Sequence, residues 1–342
     1  MKVNYDLVVP GVIVFVGVLI AAVFGSDAPQ ASAPMAKGTV TVRLAYFPNL
    51  THAPALVGVA EGMWQRELGS DRLETKVVNA GSEAMEALLA GVLDFSYVGP
   101  SPAINTYIKT NGKALKIIAG ACDGGASLVA RSDLAIGSIR DLDGKRLAVP
   151  QLGGTQDVSA RHFLAQAGLK TREMGGSVEI IPVKNGDMLA LFRTKQIDAA
   201  WVPEPWAARF ESEVGAKLVV DERDLWDGAS FPTTVLVVRS AFAAKYPRLV
   251  EAALRAHNRA VALLQVDPRR GKEISNEQIE RLTGKKIPPA ILDAAWGRLQ
   301  FVKAVSLKAL NAQAESAVEA GYLKVDHMPL DEIIATGRGV NP

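Results

Sequence analysis

The chain carries one strand, turn and helix pattern twice, at a spacing of about 103 residues. Residues 44–46 correspond in type to residues 147–149, and each short apolar run leads into a turn and a helical segment. Residues 93–98 match residues 197–202 in the same way. Three successive strand-turn-helix steps keep their order without a shift larger than one residue. The repeat therefore predicts an α/β fold with two similar lobes.

The repeat also predicts how the chain is divided. A chain of 342 residues can build two lobes with proper cores. We expect residues 39–130 and 232–342 to form the first lobe, which includes a helical region beyond Pro247. Residues 131–231 would form the second lobe, with crossings near residues 130–133 and 228–234.

An apolar N-terminal run predicts export. Residues 7–24 form a nearly uncharged stretch of roughly 18 residues, between a signal-peptide core and a membrane-spanning helix in length. Ala31-Ser32-Ala33 offers a cleavage site that is followed at once by Pro34. A signal peptide and a retained anchor both remain open, and residues 27–38 indicate a tether. Residues 1–38 thus belong to neither lobe.

Composition excludes several classes of protein. The net charge is +2, with basic residues scattered among acids, which does not favour nucleic-acid binding. The four histidines form no H-x-x-x-H pattern, and the single cysteine, Cys122, lies in an apolar run typical of a buried strand. We therefore expect no metal site, no cofactor and no catalytic residue. No His and acid pair is placed to activate a serine or threonine.

The turns between strands and helices carry the predicted site. Helix starts direct unpaired N–H groups and a partial positive charge at whatever lies before them, and Thr155 is expected to cap one such helix. Hydroxyl, amide and imidazole groups at these turns can donate to a ligand, and Trp201 could form an apolar wall. The predicted ligand-binding residues are Asn49, His52, Gly81, Ser82, Ser101, Thr155, Gln156, Asn185, Trp201 and Glu204.

The charge of the ligand stays open. Lys184 is the only basic residue within the candidate turns, whereas a tightly held sulfonate often has a guanidinium partner. Glu83, Asp157, Asp187 and Glu204 lie at helix starts, where acids commonly complement the helix dipole. If these acids face the cleft instead, they favour a neutral heterocycle or an amine-bearing ligand.

Four segments of the chain resemble the periplasmic substrate-binding proteins of the nitrate/sulfonate/taurine class of ABC importers. They are residues 49–58, residues 79–81 with 89–94, residues 97–105 and residues 201–207. The resemblance is closest to aliphatic-sulfonate-binding members. It implies a two-lobed periplasmic-binding-protein fold, type II-like, that closes on a small solute and delivers it to a membrane permease and ATPase. It also implies a monomer in the periplasm.

Two other classes compete with this interpretation. The pyrimidine synthases of thiamine biosynthesis also resemble this family, but they carry a cysteine-rich iron-binding motif, and this chain has only Cys122. An enzyme is therefore disfavoured. A membrane-anchored sensor or accessory protein is compatible with a retained anchor at residues 7–24. A binder of a neutral heterocycle, such as a thiamine-pyrimidine precursor, remains the alternative within the same fold.

Overall fold

The computed structural model describes residues 39–226, 228, 231–324 and 330–335. The predicted signal peptide or anchor at residues 7–24 and the predicted tether at residues 27–38 lie outside these residues. Among the described helices, none is long and apolar enough to cross a membrane. The described chain is an α/β structure built on two separate sheets.

The first sheet has six strands, and the second strand of the chain lies at its edge. Its spatial order is β11 (Leu299–Phe301), β4 (Leu115–Gly124), β10 (Pro232–Arg239), β3 (Phe95–Val98), β1 (Thr41–Tyr46) and β2 (Arg72–Val77). β1 runs parallel to both of its neighbours, whereas β10 runs antiparallel to β3 and β4.

The second sheet has five strands. Its spatial order is β7 (Glu179–Pro182), β6 (Arg146–Val149), β8 (Ala199–Pro203), β5 (Ala126–Ala130) and β9 (Lys217–Asp221). β6 runs parallel to β7 and β8, and β5 runs antiparallel to β8 and β9. The order β2-β1-β3-β10-β4 of the first sheet thus has the same topology as β7-β6-β8-β5-β9 of the second.

An ion pair at equivalent positions of the two sheets supports the repeat predicted from the sequence. Arg43 in β1 donates through its backbone N and its Nε to Asp94 Oδ2, at 3.1 and 2.9 Å. Arg146 in β6 donates through the same two atoms to Asp198 Oδ2, at 2.9 and 3.0 Å. Each arginine lies in the central parallel strand of its sheet, β1 or β6. Each aspartate directly precedes the neighbouring parallel strand, β3 or β8. The two-lobed α/β prediction is therefore confirmed.

Helices cover both faces of each sheet. Those that follow the parallel strands are α1 (Ala53–Ala60), α2 (Met63–Leu68), α3 (Gly81–Leu89), α4 (Pro100–Lys109), α5 (Thr155–Gln166), α6 (Asn185–Arg193) and α7 (Trp206–Val214). The predicted C-terminal helical region is present as α8 (Ser240–Lys245), α9 (Pro247–Val266), α10 (Pro268–Thr283), α11 (Pro289–Trp296) and α12 (Leu307–Glu319).

The chain changes sheet earlier than the sequence predicts. β4 ends in the first sheet at Gly124, and β5 begins in the second sheet at Ala126, so the crossing lies before residues 130–133. An apolar strand such as β5 does not reveal from its own sequence which sheet it joins. Gly124 and Gly125 both have positive φ, at 71° and 73°, a backbone conformation that residues other than glycine rarely adopt. The return crossing lies between β9 and β10.

α12 belongs to the first lobe but reaches the second. Its residues Leu310, Ala314 and Ala317 are buried in one core with β3, α4 and β10 of the first lobe. Val158 of α5, from the second lobe, is buried in the same core. The first and second lobes therefore share an apolar contact between α12 and α5.

Candidate ligand-binding site

A small cavity lies where the parallel strands of both sheets end. Its volume is about 60 Å³, well below the roughly 300–1,000 Å³ of sites for drug-sized ligands, so it fits only a small solute. The carboxyl ends of parallel strands are where ligands bind in open α/β sheets. The lining residues are Phe47, Asn49, Thr51, His52, Asn79, Ala80, Gly81, Gly99, Pro102, Pro150, Gln151, Gly154, Thr155, Gln156, Asn185, Pro203 and Thr233.

Four helices begin at this cavity without a side-chain cap. They are α3 at Gly81, α4 at Pro100, α5 at Thr155 and α6 at Asn185. The first N–H groups of a helix have no partner within the helix, and they carry part of its dipole. Two of these helices belong to each lobe. At the start of α4 only Ser101 offers an N–H, because Pro100 and Pro102 have none. N–H donors and partial positive charge nevertheless face the cavity from both lobes.

Two buried polar side-chain atoms at the cavity have no hydrogen-bond partner among the described residues. They are Thr155 Oγ1 and Asn185 Oδ1, both from the second lobe. Thr155, expected as a cap residue, is the first residue of α5 and follows the cap Gly154. A buried polar atom normally finds a partner, because leaving it unpaired costs about 1–3 kcal/mol. The Thr155 hydroxyl can therefore donate to a bound solute or accept from it, whereas Asn185 Oδ1 can only accept.

An aromatic pair lines the first-lobe side. Phe47 and His52 stack with their ring centroids 4.5 Å apart, and Phe47 N donates to His52 Nδ1 at 3.4 Å. Burial lowers the pKa of His52 to about 3, so the imidazole is neutral at physiological pH. Because Nδ1 accepts, the ring proton lies on Nε2, which makes His52 a neutral donor.

No side chain of Lys, Arg, Asp or Glu is among the described residues that line the cavity. Asp157, one of the acids at a helix start, is fully buried and directed away from it. Its carboxylate accepts from Gly153 N at 2.7 Å, from Arg161 Nε at 2.8 Å and from the hydroxyl of Tyr322. Glu83 and Asp187 are exposed and do not line the cavity. The acids therefore do not count against an anionic solute.

Trp201 and Glu204 were expected in the site, and the structure places both in the protein core. Trp201 donates from Nε1 to Glu222 at 2.7 Å and stacks on Phe163. It faces the side of the second sheet that α5 covers, so it cannot form a wall of the cavity. Glu204 accepts from Arg298 Nη1 at 2.7 Å, and burial raises its pKa. The Glu204 carboxylate therefore forms an ion pair with Arg298, the residue directly before β11.

The remaining predicted residues divide into two groups. Asn49, His52, Gly81, Thr155, Gln156 and Asn185 line the cavity together. Ser82 is exposed and Ser101 is buried, and neither is among the lining residues. Ser101 Oγ nevertheless lacks a partner among the described residues, in the first turn of α4.

Sequence reasoning missed several lining residues. Phe47 directly follows β1, and Asn79 and Gln151 lie two residues after the ends of β2 and β6, so their positions after strands could have revealed them. Thr233 lies at the start of β10, just after the return crossing and far along the chain from the other lining residues. A local pattern gives no signal for such a residue. Its place depends on how the two sheets are joined.

The two lobes also contact each other directly beside the cavity. Trp206 Nε1 donates to Asn49 Oδ1 at 3.2 Å, which joins the start of α7 to the turn after β1. Two lobes of the same topology that enclose a solute-sized cavity are characteristic of two-lobed solute-binding proteins, and this chain has that arrangement.

The chain belongs to the NMT1-like family, whose model matches residues 35–277 of the 342-residue sequence. A protein of Brucella abortus (strain 2308), named only as a binding protein, is 26% identical over 71% of this chain and 80% of its own length. The taurine-binding periplasmic protein of Escherichia coli (strain K12) is 27% identical over 62% of this chain and 63% of its own length.

A solved structure shows the same fold. The alkanesulfonate-binding protein SsuA from Xanthomonas axonopodis pv. citri, bound to MOPS, superimposes with a TM-score of 0.69 at 19% sequence identity. The match covers 84% of this chain and 96% of that chain. The periplasmic-binding-protein fold expected from the sequence is therefore confirmed.

Proposed function

We propose that this protein is an extracytoplasmic solute-binding protein that captures a small sulfonate or nitrate between its lobes for an ABC importer. The observation that carries the proposal is the cavity itself. Uncapped starts of α3 and α4 meet those of α5 and α6 there, beside the unpartnered hydroxyl of Thr155 and without a charged side chain. The names of the relatives, which state taurine or alkanesulfonate binding, support the same solute class.

The chemistry of the cavity suits a small anion. Backbone N–H groups at helix starts bind oxyanions without a cationic side chain, because the N–H groups and the dipole act in the same direction. Thr155 supplies a hydroxyl donor, Gln156 an amide and His52 a neutral N–H. A neutral imidazole donates without adding a charge that would need compensation. The anion therefore gains several hydrogen bonds in a site that holds no side-chain charge of either sign.

Closure of the lobes on the solute follows from the crossings. Gly124 N donates to Phe231 O at 2.8 Å, and the hydroxyl of Thr233 donates to Gly124 O. The two crossings thus lie side by side, as a two-stranded connection that could act as a hinge at Gly124 and Gly125. A solute that bonds to helix starts of both lobes stabilises the closed state by its differential affinity. The permease would recognise that closed state.

The location and partners extend the same proposal. The apolar segment at residues 7–24 supports export and leaves both a cleaved signal peptide and a membrane tether open. The protein would act as a monomer that delivers its solute to a permease and ATPase. It would use no cofactor and carry out no reaction.

A thermal-shift series on the purified protein tests the proposed function. Ethanesulfonate, taurine, nitrate and a 2-methylpyrimidine would each be added at increasing concentration. A solute that binds only the folded state stabilises it by about 2.7 kcal/mol at a hundred times its Kd, so a sulfonate or nitrate should raise Tm in a saturable way. A rise with the pyrimidine alone would contradict the anion assignment.

A neutral heterocycle is the second candidate, and one observation favours it. The stacked pair of Phe47 and His52 offers an aromatic surface at the cavity, on which a flat ring could pack. The pyrimidine arm of the same thermal-shift series addresses this candidate. Substitution of Phe47 by Leu should weaken pyrimidine binding and leave the response to nitrate in place.

A further inference from the structure

The segment that follows α12 contacts one cavity turn from outside the cavity. The turn consists of residues 153–157, and Tyr322 lies against it from the first lobe. Assuming that the proposed solute site is correct, we propose that Tyr322 is a positioning residue of that site. It holds the turn, and with it the N–H donors at the start of α5, in the arrangement that binds the solute.

The contact passes through one buried carboxylate. Asp157 Oδ2 accepts both from Gly153 N, at 2.7 Å, and from the Tyr322 hydroxyl, while Oδ1 accepts from Arg161 Nε at 2.8 Å. The same oxygen therefore joins the backbone of the turn to a side chain of the other lobe. Hydrogen bonds to a charged acceptor are worth about twice as much as neutral ones. Asp157 is fully buried, so water does not compete for these bonds.

The ring of Tyr322 is confined by the same turn. Gly153 has a positive φ of 68°, and a Cβ at that position would lie 3.5 Å from two carbons of the Tyr322 ring. The Arg161 guanidinium lies 5.4 Å from the centroid of that ring. The ring is thus held between the turn and α5, in a position from which its hydroxyl reaches the carboxylate.

The other end of this contact is fixed in the first lobe. Tyr322 is half-buried against the core that contains Leu310, Ala314 and Ala317 of α12. The turn, in contrast, leads directly into Gly154 and Thr155, which line the cavity. Tyr322 therefore links the rigid packing of α12 to the donors that a solute would meet. It does so without touching the cavity, since it is not among the described lining residues.

A second contact between the same two helices provides an internal control. His162 Nδ1 of α5 lies 2.6 Å from Glu319 Oε2 of α12. This pair joins the two lobes one helical turn beyond Asp157, and it does not involve residues 153–157. Loss of this pair should loosen the contact between the lobes without releasing the turn. The comparison of Tyr322 with Glu319 separates positioning of the turn from simple lobe contact.

The test compares Tyr322→Phe with Glu319→Gln and with Tyr246→Phe, a half-buried tyrosine of the first lobe beside Phe242. Binding of ethanesulfonate and nitrate would be followed by calorimetry and stopped flow. Tyr322→Phe should raise Kd about tenfold through a faster koff, since one bond to a buried carboxylate is lost. Glu319→Gln should change Kd less than threefold, and Tyr246→Phe should leave it unchanged.

Hydrogen exchange of the solute-free protein gives a readout that needs no ligand. Amides of residues 153–156 should exchange at least tenfold faster in Tyr322→Phe and at the wild-type rate in Glu319→Gln. Unchanged exchange and unchanged Kd in Tyr322→Phe would overturn the positioning role, and so would equal effects of Tyr322→Phe and Glu319→Gln. Failure of wild-type protein to bind any anion would instead refute the proposed function, whatever the exchange rates.

Discussion

Gly99 at the start of α4 lies opposite Thr155 at the start of α5. Substitution of Gly99 by Ala therefore tests how closely the two lobes must approach each other when a solute binds. A Cβ built on Gly99 would lie 2.4 Å from Thr155 Oγ1 and 3.4 Å from Thr155 Cβ. Gly99 has φ −63° and ψ 146°, a conformation that alanine adopts without strain. Gly99→Ala therefore leaves each lobe free to fold, and its methyl group interferes only where the lobes meet.

The expected loss of affinity in Gly99→Ala follows from the overlap between the added methyl group and Thr155 Oγ1. Ordinary contact begins at 3.4 Å, so the methyl group and Thr155 Oγ1 must separate by 3.4 − 2.4, about 1 Å. Overpacking of this kind costs about 1–3 kcal/mol, which corresponds to a rise in Kd of about 5- to 150-fold. Calorimetric titration with ethanesulfonate measures this rise. The Tm of the solute-free protein should change little, because the open state accommodates the methyl group.

A double substitution is the matched control. Thr155→Ala removes Oγ1 and leaves Cβ at an ordinary contact distance, so Gly99→Ala should cost clearly less in the Thr155→Ala background than in the wild type. Wild-type affinity in Gly99→Ala would refute the close approach of the lobes in the bound state. Equal costs in both backgrounds would show that the methyl group acts elsewhere.

Three further predictions concern the charge of the site, its donors and a buried carboxyl. Taurine should bind more weakly than ethanesulfonate, because no described lining side chain is a carboxylate that could pair with its ammonium group; equal Kd values in competition calorimetry would contradict this. Thr155→Ala with Gln156→Ala should raise Kd at least tenfold at an unchanged Tm, and unchanged affinity would remove this turn from the site. Burial raises the pKa of Glu222 to about 7, so its ionisation lowers stability as pH rises from the unfolded value of 4.5 through 7. Glu222→Gln should therefore gain stability relative to the wild type by about 2–3 kcal/mol between pH 5 and pH 8 in urea unfolding, and a constant difference would refute the shift.

The sequence allowed the fold to be predicted because its signals are local and occur twice. Short apolar strands, glycine and proline turns and helix starts recur in order, and parallel strands place those turns at one edge of each sheet. Thr155, Gln156 and Asn185 could be assigned to the cavity on this basis, as could Asn49 and His52. Each follows a parallel strand at the start of a helix or turn.

The parts that could not be predicted depend on contacts between distant segments. Trp201 lies in the middle of β8, and nothing in the neighbouring sequence shows that it packs on Phe163 and not on a solute. The partner of Glu204 is Arg298, which lies 94 residues further along the chain. The role of Asp157 depends in the same way on Tyr322. In each case the charge or ring is satisfied by a residue that only the tertiary fold brings near.

Direct titration of the purified protein with ethanesulfonate is the measurement closest to the central claim. The cavity between the lobes predicts saturable binding with one solute per chain, and Thr155→Ala with Gln156→Ala should abolish or strongly weaken it. Nitrate should compete for the same site. Absence of binding by both anions, together with saturable binding of a pyrimidine or an amine, would contradict the account of a neutral cavity built to hold a small anion.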